Sequence, residues 1–528
     1  MKSAQRFSLL LFLTYIWCPF AVQAATDKYR CMWRDDPATT MVVAWNQISG
    51  QRATLYYDTQ NKGKQPQRYT YSQTPNHYTE AKGMHNQFVR LQNLKPNTVY
   101  YVLIADSEGC SRQLSFKTAP DQPNERLSII AGGDSRNFRE ARRNANIMVS
   151  KLRAHVVLFA GDMTGGDSSK EWQQWLNDWQ LTIAKDGRMT PVLAARGNHE
   201  RDNQSVAALF DSPNADIYYG MTFGGGLLRT YTLNSLIPSG GEQKKWLEKD
   251  LAAHTEVQWK LAQYHHSMFP HTREKPENWE LYKNWAKLFH EQQVNLVVES
   301  DAHTVKMTHP LRPSKAIGSD HGFVRDDETG TVYVGEGCWG APLRASNDAK
   351  KWTLASGSFN QFKLVFVDQS SIEVRTIMVD KAKKTASVPM YDPFQLPQNF
   401  PIWQEPKGGV LRIANRGNLS ANRPEETVQA SVPPATSTIR ESAPLANKKL
   451  YANANGAVNV RYELHTEGEV EMSLLNSKMQ RVRRATYLHV NGGIFIEPFQ
   501  LNGIPKGSYL LILKFKGEVI GKYEVVKR

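Results

Sequence analysis

The sequence predicts a multidomain fold: an N-terminal β-sandwich, a central α/β domain in which a two-layer β-sandwich is flanked by helices, and a C-terminal β-sandwich. Three observations carry this. The chain has 528 residues, 40% hydrophobic and 22% charged, room for about three domains with cores of their own at roughly 150 residues each. The apolar period changes near Arg126, from strict alternation to apolar strands separated by helical stretches. Residues 385–447 are rich in Pro, Asn, Ser and Ala, have little to bury, and read as a linker.

Residues 1–25 have a basic start (Lys2, Arg6), an apolar run over Phe7–Val22 and small residues at Ala24 and Ala25. This is the layout of a secretory signal peptide, so the expected location is secreted or at the cell surface. Beyond it, no apolar run reaches the roughly 18 residues that a membrane-spanning helix needs. Cys31 and Cys110 fall in one small β-domain and are the better pair for a disulfide in an oxidising compartment, leaving Cys338 as a buried thiol. The 65 Lys+Arg against 51 Asp+Glu give a formal charge of +14. No basic block interleaved with aromatics occurs, so a nucleic-acid scaffold is not an expected partner. The charge reads as a solvated surface, one that can also draw anionic substrates or hold the protein near an anionic cell surface.

In residues 26–120 the stretches Thr40–Trp45, Ala53–Tyr57, Gln67–Tyr71, Gln87–Leu91, Val99–Ala105 and Gln113–Lys117 alternate and are separated by turn clusters, which predicts the first sandwich. Residues 121–384 read β-α-β-α-β and onward. Leu127–Gly132 runs to Asp134, Arg139–Arg153 is helical, and Val156–Ala160 runs to Gly161-Asp162. Ser168–Ala184 is a helix whose Trp172, Trp175 and Trp179 face the core, and Val192–Ala195 runs to Gly197-Asn198-His199-Glu200. Later, Lys260–Gln263 ends at His265-His266 and Asn295–Val298 at Asp301-Ala302-His303, while Thr331–Val334, Lys363–Val367 and Ile372–Met378 complete a second layer. Residues 448–528 return to alternating strands, among them Gly468–Leu475, Phe495–Leu501 and Ser508–Lys514.

In such a sheet, polar residues just past the carboxyl ends of the strands gather along one edge. Here that edge receives Asp134, Asp162, Asn198, His265, Asp301 and His303. Carboxylate, amide oxygen and imidazole together suit Zn, Mn or Fe, and the absence of thiolate argues against a structural zinc site or an iron–sulfur cluster.

The elements Gly133-Asp134, Gly161-Asp162, Gly197-Asn198-His199-Glu200, His265 with Met268-Phe269 following, and the closing His303 resemble the calcineurin-like metallophosphoesterases, and within them the purple acid phosphatases. Leu94-Lys95-Pro96-Asn97-Thr98-Val99-Tyr100-Tyr101 is similar to a fibronectin type III corner, and Ser239-Gly240, Gln243, Trp246-Leu247 and Asp250 resemble the family's helix before the His strand. The resemblance covers about residues 27–380. It implies two metal ions, Fe, Zn or Mn. Asp134 and His303 would hold the first, Asp162 would bridge, and Asn198 and His265 would hold the second. It also implies hydrolysis of phosphomonoesters by a metal-activated hydroxide. His199 matches the position that hydrogen-bonds the substrate phosphate and assists the leaving oxygen.

The departures are specific. Gly165 stands where purple acid phosphatases have the tyrosine that gives their colour, so no purple is expected. Arg136 stands where many metallophosphoesterases have a histidine ligand. It cannot ligate, and either grips the phosphate bidentately or pairs with a nearby carboxylate. Asp301 replaces a histidine and is expected to be a ligand, which leaves the metal's identity open. Of His266 and His271, one is expected to line the pocket; Glu200 and Arg201 orient their loop, Asp167 fixes the loop after Asp162, and Trp339 borders the pocket. At the C-terminus, Glu469-Val470-Glu471-Met472-Ser473-Leu474, then Ile504-Pro505-Lys506-Gly507-Ser508-Tyr509, resemble a type IX secretion sorting domain, which implies secretion machinery as a partner. An ordinary accessory sandwich is the competing reading. For activity the alternatives are a phosphodiesterase acting on nucleotides or lipids, and a degenerate, non-catalytic surface-binding protein.

Overall fold

The computed structural model describes residues 25–415 and, with interruptions at 452–456, 465, 467, 478–479, 490–492 and 517, residues 448–527. The expected signal peptide up to residue 24 and residues 416–447 of the expected linker lie outside the described residues. The chain divides into two units, residues 1–423 and 424–528. Among the described residues no helix is long and apolar enough to cross a membrane.

The first unit opens with a β-sandwich. Thr26–Met32, Met41–Gln47, Met84–Leu91 and His77–Ala81 form one sheet, in that order. The other holds Tyr71–Gln73, Thr54–Asp58, Val99–Asp106 and Gly109–Cys110, with Leu114–Lys117 also on Val99–Asp106. Alternation sends Met41, Val43, Trp45, Val89, Leu91, Val102 and Ile104 into the core between them. The Lys95 N–H donates to the Tyr100 hydroxyl at 2.8 Å, closing the corner before the Val99 strand.

Two expectations change here. Gln67–Tyr71 is not a strand: Pro66–Arg68 makes a 3-10 turn and the strand is Tyr71–Gln73, because Pro66 fixes a turn-compatible φ and lacks an N–H for a ladder. Cys31 and Cys110 are free thiols. They sit in different sheets of the sandwich. Cys31 belongs to the apolar core, and burial raises its thiol well above the ordinary value.

The central domain has two sheets. One runs Val192–Ala194, Val156–Phe159, Leu127–Gly132, Gln361–Val367, Ser371–Met378 and Leu411–Ala414. The other runs Tyr219–Phe223, Leu228–Thr232, Trp259–His266, Leu296–Ser300, Val332–Gly335, Val305–Thr308 and Thr353–Gly357. The strands that lead to the candidate donors are parallel within each sheet. They read as unbroken apolar runs because both faces are covered. Ile129 and Ala131 face the second sheet, meeting a core that includes Leu261, Leu296 and Val298, whereas Ile130, Val157 and Phe159 face the helices.

Helices Arg139–Leu152 and Ser169–Trp179 cover that outer face. The second starts at a capping box, Ser168 with Glu171, and its Trp175 and Trp179 rings stack at 4.9 Å inside the core. Residues 385–414, the expected start of the linker, belong to this fold. Leu411–Ala414 adds an antiparallel edge strand to Ser371–Met378, and Val388 and Phe400 are buried against the helices. Their few apolar anchors are diluted by the polar and Pro-rich composition around them.

In the second unit Lys448–Tyr451, Glu518–Lys527, Gly507–Phe515, Gly468–Leu475 and Arg481–His489 form a sheet in that order, and Ala457–Leu464 pairs with Gly493–Gln500. Val458, Val460, Met472, Leu474, Leu511 and Leu513 make its core.

Candidate metal centre

Each candidate donor lies just past, or at, the carboxyl end of a parallel strand, so the two packed sheets bring the six together. The backbone turns sharply there. Asp134, Asp162, Asp301 and His303 all have positive φ, at 59°, 56°, 68° and 54°. This conformation is costly for most side chains and more accessible to Asp, Asn and His. Gly161 and Gly197 let the Asp162 and Asn198 loops meet. A Cβ on Gly161, at φ +86°, would lie 2.4 Å from the Gly197 nitrogen, and one on Gly197 would lie 2.3 Å from that of Asp162.

The His265 ring is oriented by the Ala160 carbonyl, 2.8 Å from Nδ1. A carbonyl only accepts, so Nδ1 carries the proton and Nε2 presents its lone pair. That lone pair faces Asn198 Oδ1 at 3.0 Å, Asp162 Oδ1 at 3.3 Å and Asp301 Oδ1 at 3.6 Å. His303 is set the same way: Nδ1 donates to the Pro342 carbonyl at 2.7 Å, and Nε2 faces Asp134 Oδ1 at 3.0 Å. Asp134, Asp162 and His303 bring ligand atoms within 4.8 Å of one another, as do His265, His266 and Asp301.

Lone pairs and carboxylates aimed at one another repel unless a cation lies among them. Asp162 Oδ2 is buried and has no hydrogen-bond partner among the described residues. The same demand appears in the proton affinities. Burial opposes a charge on His265, yet the Asp162, Asp134 and Asp301 carboxylates push the imidazole up to about 10. Burial and the Asp134 charge push Asp162 up, whereas His265 and His303 pull Asp134 down against its own burial. The donor set therefore fits a divalent or trivalent metal with mixed oxygen and imidazole preference.

Arg136 lies inside this constellation. Its Nε is 3.8 Å from Asp162 Oδ2, its Nη2 is 3.4 Å from His303 Nε2, and its Nη1 contacts His199 Nε2. The Gly165 carbonyl, 2.6 Å from Nδ1, fixes the His199 tautomer, and the His199 N–H donates to Asp162 Oδ1 at 2.9 Å. Glu200 is fully buried and orients the loops: Oε2 accepts from Gly197 N–H at 2.8 Å and Asp162 N–H at 2.9 Å, and Oε1 from Met163 N–H at 2.8 Å. Arg201 is exposed and gives only its carbonyl, to Arg196 Nη2 at 2.8 Å. Asp167 accepts from Trp172 Nε1 at 2.6 Å and pairs with Lys82 at 2.9 Å, which fixes the loop and ties it to the N-terminal sandwich.

Other expectations shift. His266 adjoins the site, whereas His271 is buried away from it, its Nε2 2.7 Å from Thr353 Oγ1. Trp339 does not border a pocket. It is fully buried, donates to Asn146 Oδ1 at 2.9 Å, and packs on Phe159 and Phe362 in the helix-side core.

Two site residues were not anticipated. Lys275 Nζ lies 2.5 Å from Asp301 Oδ1, and Arg344 Nη1 donates to the Asp301 carbonyl at 3.0 Å. Both come from loops with no local pattern. Behind the site, buried Lys306 joins Glu299 and Glu336. Glu299 accepts from Met268 N–H at 2.9 Å, and Glu336 from Thr304 Oγ1 at 2.7 Å and His271 N–H at 3.1 Å, pinning the loops after His265 and around His303. A charged residue inside the apolar run Leu296-Val297-Val298-Glu299 was the available signal.

Two family models match the chain: the purple acid phosphatase N-terminal domain over residues 27–118 and the calcineurin-like phosphoesterase over residues 129–305. Residues 129–305 are thus similar to the calcineurin-like phosphoesterases. Two uncharacterized proteins of Mycobacterium tuberculosis, from strains CDC 1551 and H37Rv, are each 27% identical over 337 residues, 54% of this chain and 62% of theirs. The match thus spans less than two thirds of those relatives' length. A purple acid phosphatase from yellow lupin seeds superposes with a TM-score of 0.53 at 16% identity, over 68% of this chain and 73% of that one. The structure of PhoD superposes with a TM-score of 0.52 at 12% identity, over 67% and 88%. At these identities the likeness is one of fold.

Proposed function

We propose that this phosphoesterase is a secreted, metal-dependent hydrolase of phosphomonoesters. The observation that carries the reading is the convergence of Asp162, Asn198, His265 and Asp301 beside a rim of cationic side chains, Arg136, Lys275 and Arg344. A bound metal ion polarises a phosphoryl oxygen and lowers the pKa of water. The chain supplies the rest. Asp162, Asn198, His265 and Asp301 hold the ion, and Ala160 keeps Nε2 of His265 free for it. Asp134 and His303 complete the other side of the site. Arg136 offers donors to the non-bridging phosphate oxygens. His199, with Nδ1 held by Gly165 and Nε2 in contact with Arg136 Nη1, stands beside the phosphate and assists the leaving oxygen. A monoester dianion matches a rim of three cations better than a singly charged diester does.

The test is turnover by the full chain, stripped with chelator and reloaded with Mn, Zn or Fe. p-Nitrophenyl phosphate is expected to be cleaved faster than bis(p-nitrophenyl) phosphate. Preference for the bis-ester would overturn the monoester reading, and inertness toward both with every metal would overturn the enzymatic one. Residues 1–25 support secretion, and the Gly507-Ser508-Tyr509 region supports a sorting role for the C-terminal unit. Export of the full chain but not of one ending at residue 447 is the corresponding result.

A further inference from the structure

The two clusters of donors differ in what stands against them. At the cluster of Asp162 Oδ1, Asn198, His265 and Asp301, the charged neighbour is Lys275, whose side chain is 21% exposed. Its ammonium is a point charge on a flexible stem, free to leave for solvent when an ion arrives. At the cluster of Asp134, Asp162 Oδ2 and His303, the charged neighbour is Arg136, whose side chain is only 11% exposed. It meets the lone pair of His303 Nε2 at 3.4 Å and lies 3.8 Å from Asp162 Oδ2, the carboxylate oxygen that has no hydrogen-bond partner among the described residues.

Arg136 is held from behind as well. Its carbonyl accepts from Arg142 Nη1 at 2.9 Å, and Arg142 is itself locked on the buried Asp178 carboxylate. A planar, permanently charged group is thus built into the place where the lone pair of His303 and the second oxygen of Asp162 ask for a cation. With Asp134 and Asp162 each at −1, the guanidinium leaves this cluster near −1, too little to draw a divalent ion past a fixed positive charge.

We infer that Arg136 takes the place of a metal ion at the Asp134–Asp162–His303 cluster, so that the chain binds one ion, at Asp162, Asn198, His265 and Asp301. This rests on the metal-dependent reading and fixes its stoichiometry: one ion and one guanidinium share the phosphoryl group.

The experiment counts metal rather than turnover. The full chain is stripped with chelator and titrated calorimetrically with Mn²⁺ and with Zn²⁺, and bound metal is measured by elemental analysis after desalting. The expected result is about one equivalent for the natural chain and about two for Arg136→His, which removes the charge and adds an imidazole donor. Asp134→Asn, which keeps a side-chain oxygen for the Asp301 N–H that Asp134 Oδ2 accepts at 2.8 Å, is expected to keep its one equivalent, whereas His265→Ala loses it. Two equivalents in the natural chain, one in a folded Arg136→His, or loss of the single ion in Asp134→Asn would each overturn the inference. No metal bound by the natural chain would instead overturn the metal-dependent reading on which it rests.

Discussion

Replacing Asp178 with Asn tests whether the site is held from the helix layer. The Asp178 carboxylate is fully buried and receives three arginines: Arg139 Nε at 2.9 Å, Arg142 Nη2 at 2.5 Å and Arg143 Nη1 at 2.9 Å. Exposure decides which of these matters. Arg139 and Arg143 are 49% and 45% exposed and contribute at most about 1 kcal/mol each. Arg142 is 3% exposed, so removing its counter-charge leaves a buried, unpaired guanidinium, a loss of about 3–5 kcal/mol. Asn keeps the shape but turns an amide donor toward guanidinium donors, so no cavity confuses the comparison.

Chemical denaturation followed by tryptophan fluorescence is the assay, because Trp175 and Trp179 lie on the same helix. Asp178→Asn is expected to lose about 3–5 kcal/mol and Arg143→Ala less than about 1 kcal/mol. Burial raises the Asp178 carboxyl, but the three arginines outweigh it and hold the group below its usual range. Its contribution is therefore complete above the unfolded value of 3.8 and is lost as pH falls through the lower folded value. Turnover should fall too, since Arg142 would no longer steady the Arg136 carbonyl. Equal losses in Asp178→Asn and Arg143→Ala, or a loss under about 1 kcal/mol in the former, would refute the argument.

Three further outcomes follow from the same geometry. Asp162→Ala should remove bound metal and turnover together, and full metal content in that variant would contradict its placement between the two clusters. His199→Ala should retain metal while turnover drops by about 10² to 10⁴, the range of a lost general acid; unchanged turnover would take His199 out of the mechanism. His155 is buried, and its Nδ1 accepts the Ser128 N–H at 3.0 Å; burial first, then the Arg188 and Lys117 charges, push its imidazole from 6.5 down to about 3. Stability from this group is complete above pH 6.5 and is lost as pH falls toward 3, by up to about 5 kcal/mol, so His155→Gln should flatten the acid limb of the unfolding profile.

What the sequence revealed is what a strand carries with it. Asp134, Asp162, Asn198, His265, Asp301 and His303 follow apolar runs directly, and a parallel ladder places whatever follows such a run on one edge, so reading the run reads the position. Where a segment's place depends on distant packing, that logic stops. Thr26–Met32 hid as a strand because Asp27, Lys28 and Arg30 break its apolar pattern, yet Arg30 is buried, donating to the Leu209 carbonyl at 2.8 Å and to Asn86 at 2.7 Å from elements far along the chain. Trp339 looked like a loop aromatic because its burial comes from Asn146 and Phe362, on separate elements. Lys275 and Arg344 gain their meaning only when two loops close over Asp301. Arg136 lies on the boundary between these cases. Its distance from Asp134 placed it at the edge of the sheet, while its partner there, phosphate or carboxylate, was open in the sequence. The fold puts the guanidinium 3.8 Å from the unpartnered Asp162 Oδ2 and 3.4 Å from a histidine lone pair. Under the proposed function both roles fall to one group, because a cation that faces Asp162 there can also donate to a phosphate held at the adjoining donors.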